Sequence, residues 1–272
     1  MTEEPKNDKE MSFLGHLEEL RWRLVKSVAA ILVVAIVLFI FRKEVVDTVF
    51  MSMKEVNFPT YNFFCWLSHT VGAGDELCAN KISINTQSIS PTGQFSVSMY
   101  FSFIGGFIVM FPFVFYQIWS FIRPALKETE FKVAKGSVFW ASILFLLGVA
   151  FGYFVVSPLA VQFFGSFHVS DGVTNNFTIN SYLSLITTTT LFSGLFFELP
   201  MVIMILTKLG LVSSGFLKKY RKHALVIVLI VSAVITPPDV ISQVLVAIPV
   251  MLLYEIGIVV AKRIENTRKS YG

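Results

Sequence analysis

Between Lys81 and Arg123 the chain carries no Lys, Arg, Asp or Glu. The apolar part of that stretch, residues 95–122, exceeds the ~20 residues a membrane-spanning helix needs, so it tilts or projects from the bilayer. Five further stretches are built alike. Residues 24–41 are interrupted only by Lys26, 181–207 only by Glu198 and 241–261 only by Glu255, while 136–164 and 223–236 hold no ionised side chain. A lone strand cannot satisfy its backbone in lipid, so all six are expected to be helices. Composition agrees, with 54% hydrophobic and 15% charged residues and a mean hydropathy of +0.69, where a soluble domain carries about 25% charged residues. A soluble domain, a disordered chain, a coiled coil and a disulfide miniprotein are excluded. The expected fold is an all-α integral membrane protein, one domain over residues 1–272 without an internal repeat. Residues 1–11 are polar, expected to be disordered, and lack the pattern of a cleaved signal peptide.

Loop charges orient the bundle. The N-terminus through Lys26, the loops after spans two and four and the C-terminus together hold 18 of the 22 Lys and Arg. The other four lie in the long loop 42–93, and 165–180 and 236–240 hold none. The basic face is cytoplasmic, so six spans put both termini in the cytoplasm. The net charge of +4 is this bias and does not indicate nucleic acid. The fifth span is short: His223 to Pro238 would rise only about 24 Å against a ~30 Å hydrocarbon core.

Residues 12–24 read as an amphipathic helix at the cytoplasmic surface leading into span one, with Phe13, Leu17, Leu20 and Leu24 at helical spacing. His16, Glu19 and Arg23 share its polar side, and Glu19 and Arg23 are spaced for an i,i+4 pair. Glu198 lies ten residues before Lys208, deep in span four. A carboxylate there is costly and is partnered, neutral or functional. Thr187 to Thr190 can bond back to their own helix or pair across helices. The chain has two cysteines, Cys65 and Cys78 in one loop, which could pair in an oxidising compartment. No zinc, phosphate-loop or nucleophile motif is present, and the four histidines are scattered, so no enzyme, metal or cofactor is expected. On these residues alone, a proton- or ion-coupled transporter using Glu198 and Glu255 ranks first.

Five stretches in register change that ranking. His16-Leu17-Glu18-Glu19-Leu20-Arg21-Trp22-Arg23-Leu24 resembles the N-terminal signature of TatC, the six-span receptor of the twin-arginine translocation system. The others are Phe111-Pro112 leading to Tyr116 through Leu126, Phe151 through Leu159, Phe197-Glu198-Leu199-Pro200, and Thr236 through Gln243 followed by Ile248-Pro249. The resemblance covers roughly residues 12 to 262. It implies a cupped bundle with spans five and six short, in the bacterial cytoplasmic (inner) membrane. It implies a receptor that binds the twin-arginine signal peptides of folded proteins and nucleates a translocon driven by the proton-motive force. Glu19 and Glu130 would bind the arginine pair, since a carboxylate accepts a guanidinium bidentately and a lysine cannot copy this. Arg21, Arg23, Phe121 and Pro124 match positions around the same site. Glu198 and Gln243 would form an intramembrane polar site for single-span partner subunits of the TatA/TatB type, with Glu255 structural or a partner contact. Pro237 and Asp239 fall in a periplasmic cap built with loops 42–93 and 165–180. Membrane lipid and an oligomeric complex complete the implied partners. The loop after span one departs from the family: it is long, carries Phe63-Phe64-Cys65-Trp66, and reads Met51-Ser52-Met53 where relatives place a proline.

Overall fold

A computed structural model describes residues 13–55, 57–71, 85–122, 136–167, 170, 176–235 and 240–270. The helices are α1 (Phe13–Ile40), α2 (Arg42–Val45), α3 (Pro59–Val71), α4 (Gly93–Ile122), α5 (Ser137–Phe151), α6 (Ser157–Ser166), α7 (Ile179–Phe197), α8 (Leu199–Lys208), α9 (Ser214–Lys219), α10 (Arg221–Ile235) and α11 (Val240–Ser270). Among the described residues, five helical stretches are long and apolar enough to cross a membrane: Leu17–Ile40, Gly93–Ile122, Ser137–Ser166, Ile179–Lys208 and Gln243–Thr267. The remaining expected span, the fifth, is α10; it has 15 residues, about 22 Å of helix, and falls short of that length.

One helix, the last, differs in length from the sequence expectation. The N-terminal signature leads into span one as expected, without a break. Glu19 and Leu24 lie on the single helix α1, because nothing between Gly15 and Ile40 breaks it: there is no proline, and Leu, Arg and Ala are strong helix formers. The last helix does not end with its apolar run at Ala261 and is not short; it continues to Ser270. Its extension is held from the side. The Glu265 carboxylate accepts from the Ser214 backbone N–H (2.8 Å) and the Ser214 hydroxyl (2.5 Å) at the start of α9.

Long helices three and four each carry an interruption that proline chemistry explains. Between α5 and α6, residues Gly152–Val156 form a π-helical turn just before Ser157-Pro158, where the missing proline N–H opens the i→i−4 ladder. Between α7 and α8, Glu198 stands outside both helices with Pro200 in the first turn of α8.

Antiparallel α1 and α4 make the most extensive helix contact. It depends on Gly106, where an added Cβ would sit 2.7 Å from the Ile31 carbonyl oxygen and 3.1 Å from the Ala35 nitrogen. Both are backbone atoms of α1 and cannot rotate away. Gly106→Val is therefore expected to cost on the order of 1–3 kcal/mol and to prise α1 from α4, read as a lower melting temperature in detergent. At the α5–α7 contact, Gly148 is in the same position: its Cβ would lie 2.6 Å from the Ser193 carbonyl oxygen.

The end of the bundle away from the signature is roofed by the segment after α1. A π-helical turn (Val46–Phe50) and a 3-10 turn (Met51–Lys54) follow α2. Irregular backbone leaves carbonyls without helical partners, and three tyrosines supply donors: Tyr153 to Val49 (2.7 Å), Tyr182 to Phe50 (2.8 Å) and Tyr61 to Met53 (3.0 Å). Burial pushes the Tyr61 phenol above its ordinary pKa. Lys54 donates to Thr86 (2.8 Å) and lies over the Tyr182 ring, and burial holds its amine below the usual lysine value. Thr86 belongs to β1 (Asn85–Gln87), which pairs in parallel with β2 (Asn176–Thr178). Loops 42–93 and 165–180 thus meet through these strands. Cys65 is disulfide-bonded, and the chain's one other cysteine, Cys78, lies outside the described residues.

Candidate functional site

Gln117 is the one polar amide in the last two turns of α4, buried against α1. Arg23, on the facing side of α1, donates its Nη1 to Gln117 Oε1 at 3.3 Å. The same guanidinium grips Glu19 one turn back, Nε to Oε1 at 2.9 Å and Nη2 to Oε1 at 2.5 Å. The i,i+4 pair thus forms as spacing predicts, but it belongs to a three-residue cluster with α4. Both Arg23 contacts to Glu19 use one carboxylate oxygen. The other, Glu19 Oε2, is buried and has no hydrogen-bond partner among the described residues. A buried acceptor left unmade costs about 1–3 kcal/mol.

The cluster lies five residues before the end of α4 at Ile122, where the chain enters the segment that holds Pro124 and Glu130. Both of those expected site residues lie outside the described residues. Phe121 is half-buried at the end of α4, and Arg21 is exposed with its guanidinium 6.0 Å from the Trp22 ring. At the same end, Trp119 is buried beneath Lys208, whose ammonium lies 5.4 Å from the ring centroid. Gln117 was not singled out as a site residue from sequence. Its signal was a lone amide in the last two turns of a helix without ionised side chains.

The expected intramembrane acids have different surroundings. Glu198 is 6% exposed, and neither carboxyl oxygen has a partner with hydrogen-bond geometry among the described residues. Its backbone is well used: the carbonyl accepts from Met201 (2.9 Å) and Val202 (3.0 Å), fixing the acid at the α7–α8 joint. Gln243 donates Nε2 to the Leu229 carbonyl at 3.0 Å, tying α11 to α10. Glu255 pairs with Arg221 at 2.6 Å with both side chains near half exposed. It also lines an apolar groove of about 440 Å³ between α10 and α11, with Leu225, Leu229, Val244, Ile248 and Leu252. Glu198 and Glu255 therefore form no joint buried acid site. Thr187 bonds back to Leu183 in its own helix (2.7 Å). Pro237 and Asp239 lie outside the described residues. No group of three or more His, Cys, Asp or Glu able to hold a metal occurs among the described residues.

Fold and site together define a multi-pass helical membrane protein with polar groups buried among its apolar helices, and comparison with known proteins narrows this further. Residues 15–249 match the family model described as Sec-independent protein translocase protein (TatC). The TatC protein of Blattabacterium sp. subsp. Periplaneta americana is 39% identical over 260 residues, 94% of this chain and 97% of that protein. The TatC protein of Helicobacter pylori J99 is 35% identical over 254 residues, 93% and 90% of the two chains. A crystal structure of the twin-arginine translocase receptor TatC in DDM superposes with a TM-score of 0.68 at 33% identity, over 90% of this chain and 99% of that one. The chain belongs to the TatC family of Sec-independent protein translocase subunits. It is a transport protein and not an enzyme.

Proposed function

We propose that this chain is the receptor component of a bacterial twin-arginine translocase, and that it binds the arginine pair of a signal peptide at the end of the bundle holding Glu19. The observation that carries the reading is the half-used Glu19 carboxylate: Arg23, itself held by Gln117, fixes its orientation through Oε1, and Oε2 is left for an incoming guanidinium. Charge-assisted hydrogen bonds of this kind are about twice as strong as neutral ones. The cluster does more than supply charge, since the Arg23 guanidinium partly neutralises Glu19 and sets its plane. Glu130 is the second carboxylate of the clamp, with Arg21, Phe121 and Pro124 around it.

In this reading six helices span the cytoplasmic membrane, α10 among them, and both termini are cytoplasmic. The bundle is cupped, and the basic loops support this orientation. The apolar part of the signal lies along the bundle. Glu198 is the docking point for a single-span partner subunit, supported by its burial with no well-formed hydrogen bond to either carboxyl oxygen among the described residues. Gln243 and Glu255 flank the adjoining α10–α11 groove, and Pro237 and Asp239 belong to the external cap. Assembly is driven by the proton-motive force. The test is binding of a twin-arginine signal peptide to the protein in nanodiscs, compared with the same peptide carrying two lysines. The twin-arginine peptide is expected to bind on the order of tenfold or more tightly, because lysine cannot make the bidentate contact. Equal binding of the two peptides would reject the site.

A further inference from the structure

Helix α3 is part of the long loop that sets this chain apart, and neither the signal-binding cluster nor the intramembrane acids use it. Its sequence, Pro-Thr-Tyr-Asn-Phe-Phe-Cys-Trp-Leu-Ser-His-Thr-Val, holds no Lys, Arg, Asp or Glu. One side is anchored. Tyr61 is buried and donates to the Met53 and Pro158 carbonyls (3.0 and 3.3 Å), and Ser68 is buried too. The other side presents Phe63 and Trp66, one turn apart, 55% and 62% exposed, with ring centroids 6.1 Å apart. Two large aromatic rings on an uncharged helix do not suit a water-facing surface.

The attachment point of α3 gives its depth. The Thr60 hydroxyl donates to the Phe154 carbonyl, and the ring of Phe58, just before α3, stacks on the ring of Phe154. Phe154 lies in the π-helical turn of the third long apolar stretch, Ser137–Ser166, and is itself 46% exposed. Phe154 is 17 residues past Ser137, about 26 Å along the helix, while the hydrocarbon core is ~30 Å thick. With Ser137 taken as the near boundary of the hydrocarbon, this places the start of α3 near the far boundary. The start of α3 thus sits beside Phe154, an exposed apolar side chain of that span. Trp is favoured at this depth because its ring is apolar and its indole N–H can bond to headgroups.

We infer that α3 is an interfacial anchor that inserts Phe63 and Trp66 into the leaflet away from the N-terminal signature, with bilayer lipid as the occupant of this face. The anchor holds the roof of the bundle at fixed depth. The disulfide at Cys65, between the two rings in sequence, ties the helix to its own loop.

The test is tryptophan fluorescence of the full chain in nanodiscs, with Trp66→Phe isolating the Trp66 contribution by difference. Because Trp66 is exposed, the conservative variant keeps the fold, and unchanged thermal stability in detergent verifies this. Lipid brominated high on its acyl chains is expected to quench the difference signal at least about twofold, while iodide on that side leaves it nearly unchanged. A signal quenched by iodide and untouched by brominated lipid would overturn the inference. So would lipid quenching seen only in discs holding one copy and lost in discs holding two, which would assign the face to a second copy. The result is independent of signal binding, so it stands or falls separately from the receptor reading.

Discussion

A Glu19→Ala variant binds a twin-arginine signal peptide on the order of 10- to 100-fold more weakly than the unmodified protein, the loss expected when a hydrogen bond to a charged group worth about 1.5–3 kcal/mol disappears. Two effects add. The incoming guanidinium loses Oε2 as an acceptor, and Arg23, no longer held at 2.5–2.9 Å by Oε1, becomes an unneutralised positive charge facing another. The second effect makes the alanine variant worse than mere absence of a contact, because like charges brought together at an interface carry their own penalty. Glu18→Ala provides the control. Glu18 neighbours Glu19 in sequence but is exposed, and its removal changes net charge equally. Binding measured by peptide titration in nanodiscs separates the two, and equal losses in both variants would mean that the site responds only to general negative potential.

Glu198→Leu should have opposite effects on stability and on function. The carboxyl is buried inside a span with neither oxygen partnered among the described residues, and such a group destabilises the isolated protein by about 1–3 kcal/mol. Leucine of similar volume removes that cost, so the variant's melting temperature in detergent should rise. If Glu198 is the docking point for a single-span subunit, the same variant should fail to co-purify that subunit and should stop export of a folded twin-arginine reporter in cells. Signal-peptide binding to the isolated receptor should be unchanged, since the Glu19 cluster lies on α1 and α4 while Glu198 joins α7 to α8. A variant that loses stability instead would identify Glu198 as a structural hydrogen-bonding group. A more stable variant that still exports normally would leave the acid with no role in assembly.

These two positions also show what a sequence reader can and cannot see. The long helices were legible because ionised side chains are so expensive in hydrocarbon that their absence marks the spans. Glu198 stood out for the same reason. The i,i+4 spacing of Glu19 and Arg23 was equally plain, but spacing could not show that Arg23 also reaches Gln117 ninety-four residues away, nor that one Glu19 oxygen would be left over. Those facts depend on the α1–α4 approach, which Gly106 permits. The helix leading from the signature into span one was legible from its spacing, though not that it would run unbroken from Phe13 to Ile40. The extension of α11 past Ala261 was missed because a charged segment reads as a tail; Glu265 capping α9 is a tertiary contact without local signature. The π-helical turn before Pro158 follows from a proline that was visible, though its form was not.

The account centres on one contact, between Glu19 and an arginine of the signal. A double-mutant cycle measures that contact alone. It combines Glu19→Gln in the receptor with Arg→Lys at each signal position and reads the four dissociation constants in nanodiscs. The account predicts a coupling above about 1 kcal/mol at one of the two arginines, with the double change costing clearly less than the sum of the single ones. Additivity within about 0.5 kcal/mol at both arginines would contradict it, because the carboxylate and the guanidinium would then not be touching.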